Sequence, residues 1–234
     1  MVGSRDFQNA KLQKKLRKAA EQLQLAFAAY CEERHSDAQS LCRRLLRDVP
    51  DYFYAVQLLG VSVLECGQFK EAKLILERAV ALEPWSADAH SHLGFALLKL
   101  KRYDEARAWY AQAAKGGQVY AQRRLGEMYK AGLGLHGTGE PELAIYYLRA
   151  AAERGDAVAL TDLGEIYLNG PEGMPDWVRA YAWFELAAEA QGETSALGKA
   201  TSKRDAAASH MTPEAQAKAM NLVHDWKLGH RGDL

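Results

Sequence analysis

The strongest constraint on the fold of this chain is a 34-residue periodicity that runs through its first half. Three series of positions share it: Leu25, Leu59 and Leu93; Ala38, Ala72 and Ala106; and Pro50 and Pro84. A repeat of this length is typical of a solenoid, in which each unit buries its apolar face only against its neighbours. We therefore expect an all-α array of stacked antiparallel helix hairpins without a central core.

The segment from 53 to 86 predicts the structure of one hairpin. Apolar residues recur at helical spacing on one face of each of two helices. They are Val56, Leu59 and Val63 in the first helix, and Ala72, Leu76 and Ala79 in the second. Gly60 and Ala72 are small, which predicts that the two helices cross at these residues. Pro84 is expected to end the second helix and to direct the chain into the next hairpin.

These positions resemble the signature of the tetratricopeptide repeat, which has Leu-Gly in its first helix, Ala in its second helix and Pro at its end. The second and third repeats match well, with Leu59-Gly60 and Leu93-Gly94. In the third repeat Gln118 stands where the family has Pro, which marks a change of repeat type. The resemblance implies a right-handed superhelical α-solenoid that binds protein partners.

From residue 119 the chain resembles the Sel1 subclass of these repeats, which has a longer, glycine-bearing loop between its two helices. Two sets of residues carry the resemblance: Leu125-Gly126, Gly132, Gly134 and Ala144, then Leu163-Gly164, Gly170 and Ala180. The loop glycines are expected to adopt positive φ, because a tight return of the chain requires it. We expect the stretch from 135 to 141 to be the least constrained part of the array.

The pattern divides the chain into four predicted parts. Residues 1–18 form a basic leading helix, 19–118 three tetratricopeptide repeats, 119–190 two Sel1-like repeats, and 191–234 C-terminal capping helices with a short tail. In the last part, Thr212 is expected to cap a helix that begins at Pro213. This helix would cover the final hairpin, which has no following repeat.

The overall charge balance gives no electrostatic attraction to nucleic acid or to an anionic membrane, because 30 basic residues match 30 acidic ones. The chain nonetheless opens on a basic stretch. Its charged residues are Arg5, Asp6, Lys11, Lys14, Lys15, Arg17 and Lys18. We interpret this stretch as a solvated helix, and attachment to a membrane or a nucleic acid is the alternative. Three irregularly spaced cysteines and the lack of an apolar leader favour the cytoplasm.

The sequence contains no pattern that predicts catalysis, a cofactor or a metal site. His90 and His92 point about 200° apart on a helix, and no carboxylate or thiol lies three or four residues after either of them. One histidine is expected to pack in the hairpin and the other to face the groove. The stretch from 132 to 139 lacks the Lys-Ser/Thr ending and the preceding strand of a phosphate-binding loop. We therefore predict a non-enzymatic protein.

The resemblance further implies that the first helices of successive hairpins line a concave groove for a partner. Transferred by repeat position, the groove residues of the first three repeats are Phe27, Tyr30, Tyr54, Gln57, Val61, Ser91, Phe95 and Lys99. In the Sel1-like part they are Tyr120, Arg123, Glu127 and Lys130. Aromatic residues beside fixed charges are typical of a peptide-binding surface. The alternative is that Phe27, Tyr54 and Phe95 pack between adjacent hairpins.

The predicted partner is a hydrophobic or amphipathic segment of a protein, with an acidic stretch that would reach Arg123, Arg124 and Lys130. Chaperone-binding members of the family clamp a C-terminal carboxylate with Lys and Asn side chains. The residues at those positions here are Leu23, Gln24, Phe27, Gln57, Leu58 and Val61, so the clamp is absent.

The predicted function is a protein-binding scaffold or adaptor, and a dedicated chaperone for one client protein is the alternative. A groove without its ligand could also accept the N-terminal helix of a second copy, which leaves self-association open.

Overall fold

The computed structural model describes residues 3–134, 139–170, 173–190, 195–230, 232 and 234, without the side chains of 3–12 and 195–198. Residues 135–138 of the loop that is expected to be least constrained therefore lie outside the described part. Within that part all regular structure is helical, which confirms the predicted all-α class. The helices form two compact units, Met1–Gly116 and Gly117–Leu234, called unit 1 and unit 2 below.

The described part of unit 1 contains three successive helix hairpins. Their helices are α1 (Gly3–Cys31), α2 (His35–Asp48), α3 (Phe53–Glu65), α4 (Phe69–Leu82), α5 (Ala87–Lys99) and α6 (Tyr103–Lys115). Each helix contacts the next along the chain, and the first helices of adjacent hairpins also contact one another, α1 with α3 and α3 with α5. These are the contacts of stacked hairpins, as the periodicity predicts.

The second and third hairpins close where a glycine of the first helix meets a larger side chain of the second helix. A Cβ on Gly60 would lie 2.7 Å from Cδ2 of Leu76, and a Cβ on Gly94 would lie 3.1 Å from the ring of Tyr110. The facing side chains Leu76 and Tyr110 are fully buried. The crossing predicted at Gly60 is therefore confirmed.

The turn between the two helices of each hairpin follows the same 34-residue interval. Glu33, Gly67 and Lys101 have φ of 58°, 73° and 60°. One glycine and two longer residues thus adopt the same left-handed conformation, because the hydrogen bonds that close the turn fix the backbone there.

Leu25 differs from the other leucines of its series. Leu59 and Leu93 are 6% and 1% exposed, whereas Leu25 is 59% exposed. The contacts of α1 are with α2 and α3, and Leu25 lies on the face of α1 that these helices leave open. The repeat register therefore predicts the place of a residue in its hairpin but not its burial at the end of an array.

Unit 2 continues the hairpin pattern and ends in two packed helices. Its described helices are α7 (Val119–Lys130), α8 (Pro141–Ala152), α9 (Ala157–Asn169), α10 (Trp177–Ala190), α11 (Ser195–Ala208) and α12 (Pro213–Lys227). Helices α7 to α10 contact one another in order, and α10 contacts both α11 and α12. Gly126 and Gly164 face the buried side chains of Leu148 and Phe184 in the same way as the glycines of unit 1.

The loops of unit 2 agree with the predicted change of repeat type. Gly132, Gly134 and Gly170 have φ of 65°, 75° and 64°, as expected for a tight return. Gln118, which stands in place of the repeat proline, accepts a hydrogen bond from the N–H of Ala121 at 2.5 Å and so caps α7.

Helix α12 packs against α10 of the preceding hairpin. The hydroxyl of Thr212 accepts a hydrogen bond from the N–H of Ala215 at 3.3 Å, and Pro213 begins α12. Trp226 of α12 packs edge-on against Trp183 of α10, with ring centroids 4.8 Å apart. Trp183 is fully buried, so α12 supplies the cover that a following repeat would give.

Candidate functional site

Unit 1 contains an open groove of about 440 Å³ that is lined by its three first helices. The lining residues are Leu23, Gln24, Phe27 and Tyr30 of α1, Tyr54, Gln57, Leu58 and Val61 of α3, and His92 of α5. Five of the residues predicted for the groove, namely Phe27, Tyr30, Tyr54, Gln57 and Val61, therefore lie together.

Three other lining residues, Leu23, Gln24 and Leu58, were not predicted for the groove, although the repeat contains a signal for them. Leu23 precedes Gln57 by one repeat, so the two occupy equivalent positions in α1 and α3. Gln24, Leu58 and His92 are likewise spaced by 34 residues, and they form a further row of equivalent positions across the groove. Two adjacent positions of the first helix thus supply five of the nine lining residues.

Phe27 and Tyr54 form an exposed aromatic edge of this groove. They are 57% and 61% exposed, so neither is buried between adjacent hairpins as the alternative interpretation required. The Tyr54 ring lies edge-on to the rings of Phe53 and Tyr52, at centroid distances of 5.2 Å and 6.1 Å. Large aromatic side chains that stay exposed beside an apolar depression are a common feature of protein-binding surfaces.

The three groove residues predicted on α5 lie outside this lining. Ser91 was expected to face the groove but is only 1% exposed, which leaves it inaccessible to a partner. Phe95 is half-buried, and the Lys99 ammonium lies 5.2 Å from the centroid of its ring in a cation–π contact. The groove extends to α5 through His92 instead.

The two histidines of α5 divide their roles as the sequence predicts. His90 is 8% exposed, and its ring lies 5.3 Å from that of Trp109. His92 lines the groove, and its Nδ1 is buried without a hydrogen-bond partner among the described residues. Burial lowers the pKa of both imidazoles, so their neutral forms are favoured in the folded chain.

Two carboxylates act on the groove electrostatically. Glu65 and Asp88 both favour the charged form of His92, against the larger opposing effect of its burial. Burial raises the pKa of Tyr30, and the negative charge of Glu65 raises it further. Both carboxylates are exposed, and neither is in an ion pair with another described residue. Each carboxylate lies one helical turn from a lining residue, Glu65 after Val61 and Asp88 before His92, so the apolar groove has two acidic residues beside it.

The charged residues predicted for the groove in unit 2 form ion pairs within that unit. The Arg123 guanidinium contacts Glu127 at 2.6 Å and Asp156 at 3.0 Å. The Lys130 ammonium contacts both Asp162 and Glu165 of α9 at 2.5 Å.

Arg124 lies 2.5 Å from Glu127, and Tyr120 lies under Arg123, with 5.1 Å from the ring centroid to the guanidinium carbon. The cations that were expected to receive an acidic stretch of a partner are therefore already neutralised within unit 2.

Burial and ion pairing have opposite effects on the pKa values of the carboxylates in this cluster. Burial raises the pKa of Asp162, against the effect of the Lys130 ammonium. For Glu165, burial is outweighed by hydrogen bonds from Lys130 and Lys203, which together lower its pKa. Lys203 belongs to α11, so the cluster joins α7, α9 and α11. Its partners lie in alternate helices of unit 2, which indicates a role in holding that unit together.

Family models match the chain in the order that the sequence predicts. A tetratricopeptide repeat model matches residues 63–123, and a Sel1 repeat model matches residues 119–156 and 157–191. The chain carries tetratricopeptide and Sel1 repeats. Proteins built from these repeats are generally scaffolds for protein–protein interaction and are typically non-enzymatic.

Solved structures of such repeat proteins share the fold. The protective antigen c5321 of uropathogenic Escherichia coli, which displays an SLR fold, is 22% identical with a TM-score of 0.71. That match covers 89% of this chain and 45% of the antigen, so this chain spans less than half of its length.

Two further structures match over most of their own length. For pilF of Pseudomonas aeruginosa the identity is 20%, the TM-score 0.67, and the coverage 84% of this chain and 90% of pilF. YrrB, a tetratricopeptide repeat protein with an unusual peptide-binding site, is 18% identical with a TM-score of 0.56, over 83% of this chain and 97% of YrrB. At these identities the similarity establishes the repeat fold.

The three cysteines of unit 1 are free and differ in burial. Cys31 and Cys66 are exposed, and Cys42 is buried. Burial raises the pKa of Cys42 to about 12, against the opposing charge of Arg43. In the described part of the chain no group of three or more His, Cys, Asp or Glu side chains is placed to hold a metal ion. None of the described helices combines the length and apolar character needed to cross a membrane.

Proposed function

We propose that this protein is a non-enzymatic scaffold or adaptor that binds a segment of a partner protein in the groove of unit 1. The observation that carries the proposal is the exposed pair Phe27 and Tyr54 at the edge of an apolar groove of about 440 Å³. Burying two such rings on binding would supply much of the affinity, because aromatic anchors that fill a pocket dominate the energetics of protein interfaces.

The lining also suggests what kind of segment fits. Leu23, Leu58 and Val61 offer an apolar floor to the partner's hydrophobic side chains. The amides of Gln24 and Gln57 can both donate and accept hydrogen bonds, which suits the backbone of a peptide or the polar edge of a helix. The ligand in this proposal is therefore a hydrophobic or amphipathic segment rather than a free C-terminal carboxylate.

The similarity to YrrB supports the proposal at the level of the fold. YrrB is described as having an unusual peptide-binding site, so a tetratricopeptide array of this size is able to present one. The cytoplasm remains the proposed compartment, since the three cysteines are free in the described structure and disulfides would be expected in an oxidising environment.

Affinity capture from the native cell tests this function. Full-length protein and the variant Phe27→Ala/Tyr54→Ala would be used side by side, with Leu74→Ala/Trp85→Ala as the control. Leu74 and Trp85 are 66% and 92% exposed and lie outside the groove, so the control removes a comparable apolar area elsewhere. A partner captured by the wild type and the control but lost by the groove variant supports the proposal. Identical captures by all three proteins would exclude the groove.

The same experiment separates the adaptor from a dedicated chaperone. A chaperone would co-purify with one client that precipitates when the protein is absent. An adaptor would capture a partner that stays soluble by itself. All variants should keep the wild-type thermal unfolding curve, because surface truncations usually change stability by no more than about 0.5 kcal/mol.

A further inference from the structure

The first half of α1 projects beyond the hairpin to which the helix belongs. α1 has 29 residues and its partner α2 has 14, so only part of α1 can pack against α2. Ala19 is 2% exposed and packs with Leu45 and Ala55, whereas the side chains of residues 13–18 are all exposed. The helix therefore continues for about 24 Å on the N-terminal side of Ala19.

This projecting half is positively charged, whereas the residues beside the groove are negatively charged. Lys14 and Lys15 are exposed and form no ion pair with another described residue. Leu16, which follows them, is 41% exposed and adds an apolar surface to the basic helix. The carboxylates of Glu65 and Asp88, which act on the groove, are likewise exposed and form no ion pair with another described residue. A basic helix that carries an exposed leucine and an apolar groove with acidic residues beside it are complementary.

The two surfaces of one molecule cannot meet. Leu23, Phe27 and Tyr30, which line the groove, lie on the C-terminal half of the same continuous helix that projects at its N-terminal half. A helix without a break cannot fold back upon itself. The projecting half of α1 can therefore reach this groove only in another molecule.

We propose that the groove of unit 1 binds the N-terminal half of α1 from a second copy of this chain. The inference rests on the proposed function, because it assigns an occupant to the same groove. Lys14 and Lys15 of one copy pair with Glu65 and Asp88 of the other, while Leu16 enters the apolar lining. Such a contact joins two different surfaces, so it is heterologous and adds copies head to tail.

Sedimentation equilibrium of the full-length chain tests the proposal. The average mass should rise with protein concentration above that of the monomer, and salt should reverse the rise because it screens exposed charges. Lys14→Glu/Lys15→Glu and Glu65→Lys/Asp88→Asn should each weaken the association roughly tenfold or more. Asn is chosen at Asp88 because it keeps a residue suited to the first turn of α5. Lys70→Glu and Glu83→Lys, exposed and outside the groove, are the matched controls.

A mixture of the two charge variants gives the sharpest result. Each variant alone should associate more weakly than the wild type, but the unchanged basic helix of one fits the unchanged acidic groove of the other. The mixture should therefore associate again. A loss caused by misfolding would not be repaired by mixing, and circular dichroism would reveal it.

Failure of this inference is distinguishable from failure of the proposed function. A chain that stays monomeric at every concentration, or whose association is unchanged by both charge variants, overturns the inference. The groove then remains a candidate for another partner if capture still depends on Phe27 and Tyr54. If both capture and association are independent of these residues, the proposed function is overturned as well.

Discussion

The backbone of Gly164 lies against the ring of Phe184, so that a Cβ on Gly164 would come within 2.5 Å of Cε1 of Phe184. Phe184 is fully buried, and close packing in protein interiors leaves such a ring little freedom to move. We expect Gly164→Ala to destabilise unit 2 by about 1–3 kcal/mol, measured by urea unfolding followed by circular dichroism.

Gly94→Ala is the matched comparison in unit 1. A Cβ there would lie 3.1 Å from Tyr110, a closeness that small shifts can relieve. Ala also favours a helix over Gly by about 1 kcal/mol, so the net change should be close to zero. A larger loss for Gly94→Ala than for Gly164→Ala would contradict this interpretation.

Much of the fold could be predicted from the sequence because the same residue pattern recurs in each repeat and forms the same helix hairpin. Leu59-Gly60 and Leu93-Gly94 have the same surroundings, so the place of one hairpin predicts the next. The exposure of Leu25 could not be predicted in this way, because it depends on what precedes the first hairpin.

The site was predictable only in part, for a similar reason. Repeat position predicted that Phe27 and Tyr54 share one surface, and both line the same depression, because side chains on one helical face follow the backbone. The predicted exposure of Ser91 was wrong. Its equivalents Gln57 and Leu23 are long enough to reach the groove, whereas a serine at the same position stays buried. The pairing of Lys130 with Asp162 and Glu165 joins residues more than 30 positions apart, and it depends on how adjacent hairpins pack.

Removal of the Lys130 ammonium should destabilise unit 2. Lys130→Met would leave Asp162 and Glu165 without their shared cation in a partly buried site, at an expected cost of about 1–2 kcal/mol. Lys227→Met breaks the more exposed pair with Glu189 and should cost no more than about 0.5 kcal/mol. Urea unfolding at low salt measures both, and equal costs would argue against a structural role for the cluster.

The three cysteines should differ in their reactivity. Cys31 and Cys66 are exposed, whereas burial raises the pKa of Cys42 to about 12. Because the thiolate is the reactive form, a thiol reagent at mildly alkaline pH should modify two cysteines rapidly and the third only after unfolding. Cys42→Ser should leave the rapid phase unchanged. Rapid modification of all three thiols in the folded chain would show that Cys42 is not buried.

Acid should destabilise unit 1 through His92. Burial holds the pKa of His92 below its ordinary value of about 6.5, so the unfolded chain binds the proton more readily. The stability that the neutral imidazole contributes is complete above that value and is lost as the pH falls towards the folded-state pKa. His92→Gln, which does not titrate, should therefore reduce the fall in unfolding free energy over this range. Parallel pH profiles of variant and wild type would rule out this contribution.

Site-specific photo-crosslinking shows whether the groove is occupied. A benzophenone side chain would replace Tyr54 in the full-length protein, or Leu74 as the exposed control outside the groove. After irradiation in extract of the native cell, we predict an adduct from position 54 that is absent from position 74 and is lost when Phe27→Ala is added. Mass spectrometry of the adduct identifies a second copy of the chain or another protein. An equal yield at both positions, or none at position 54, would contradict a groove-binding scaffold.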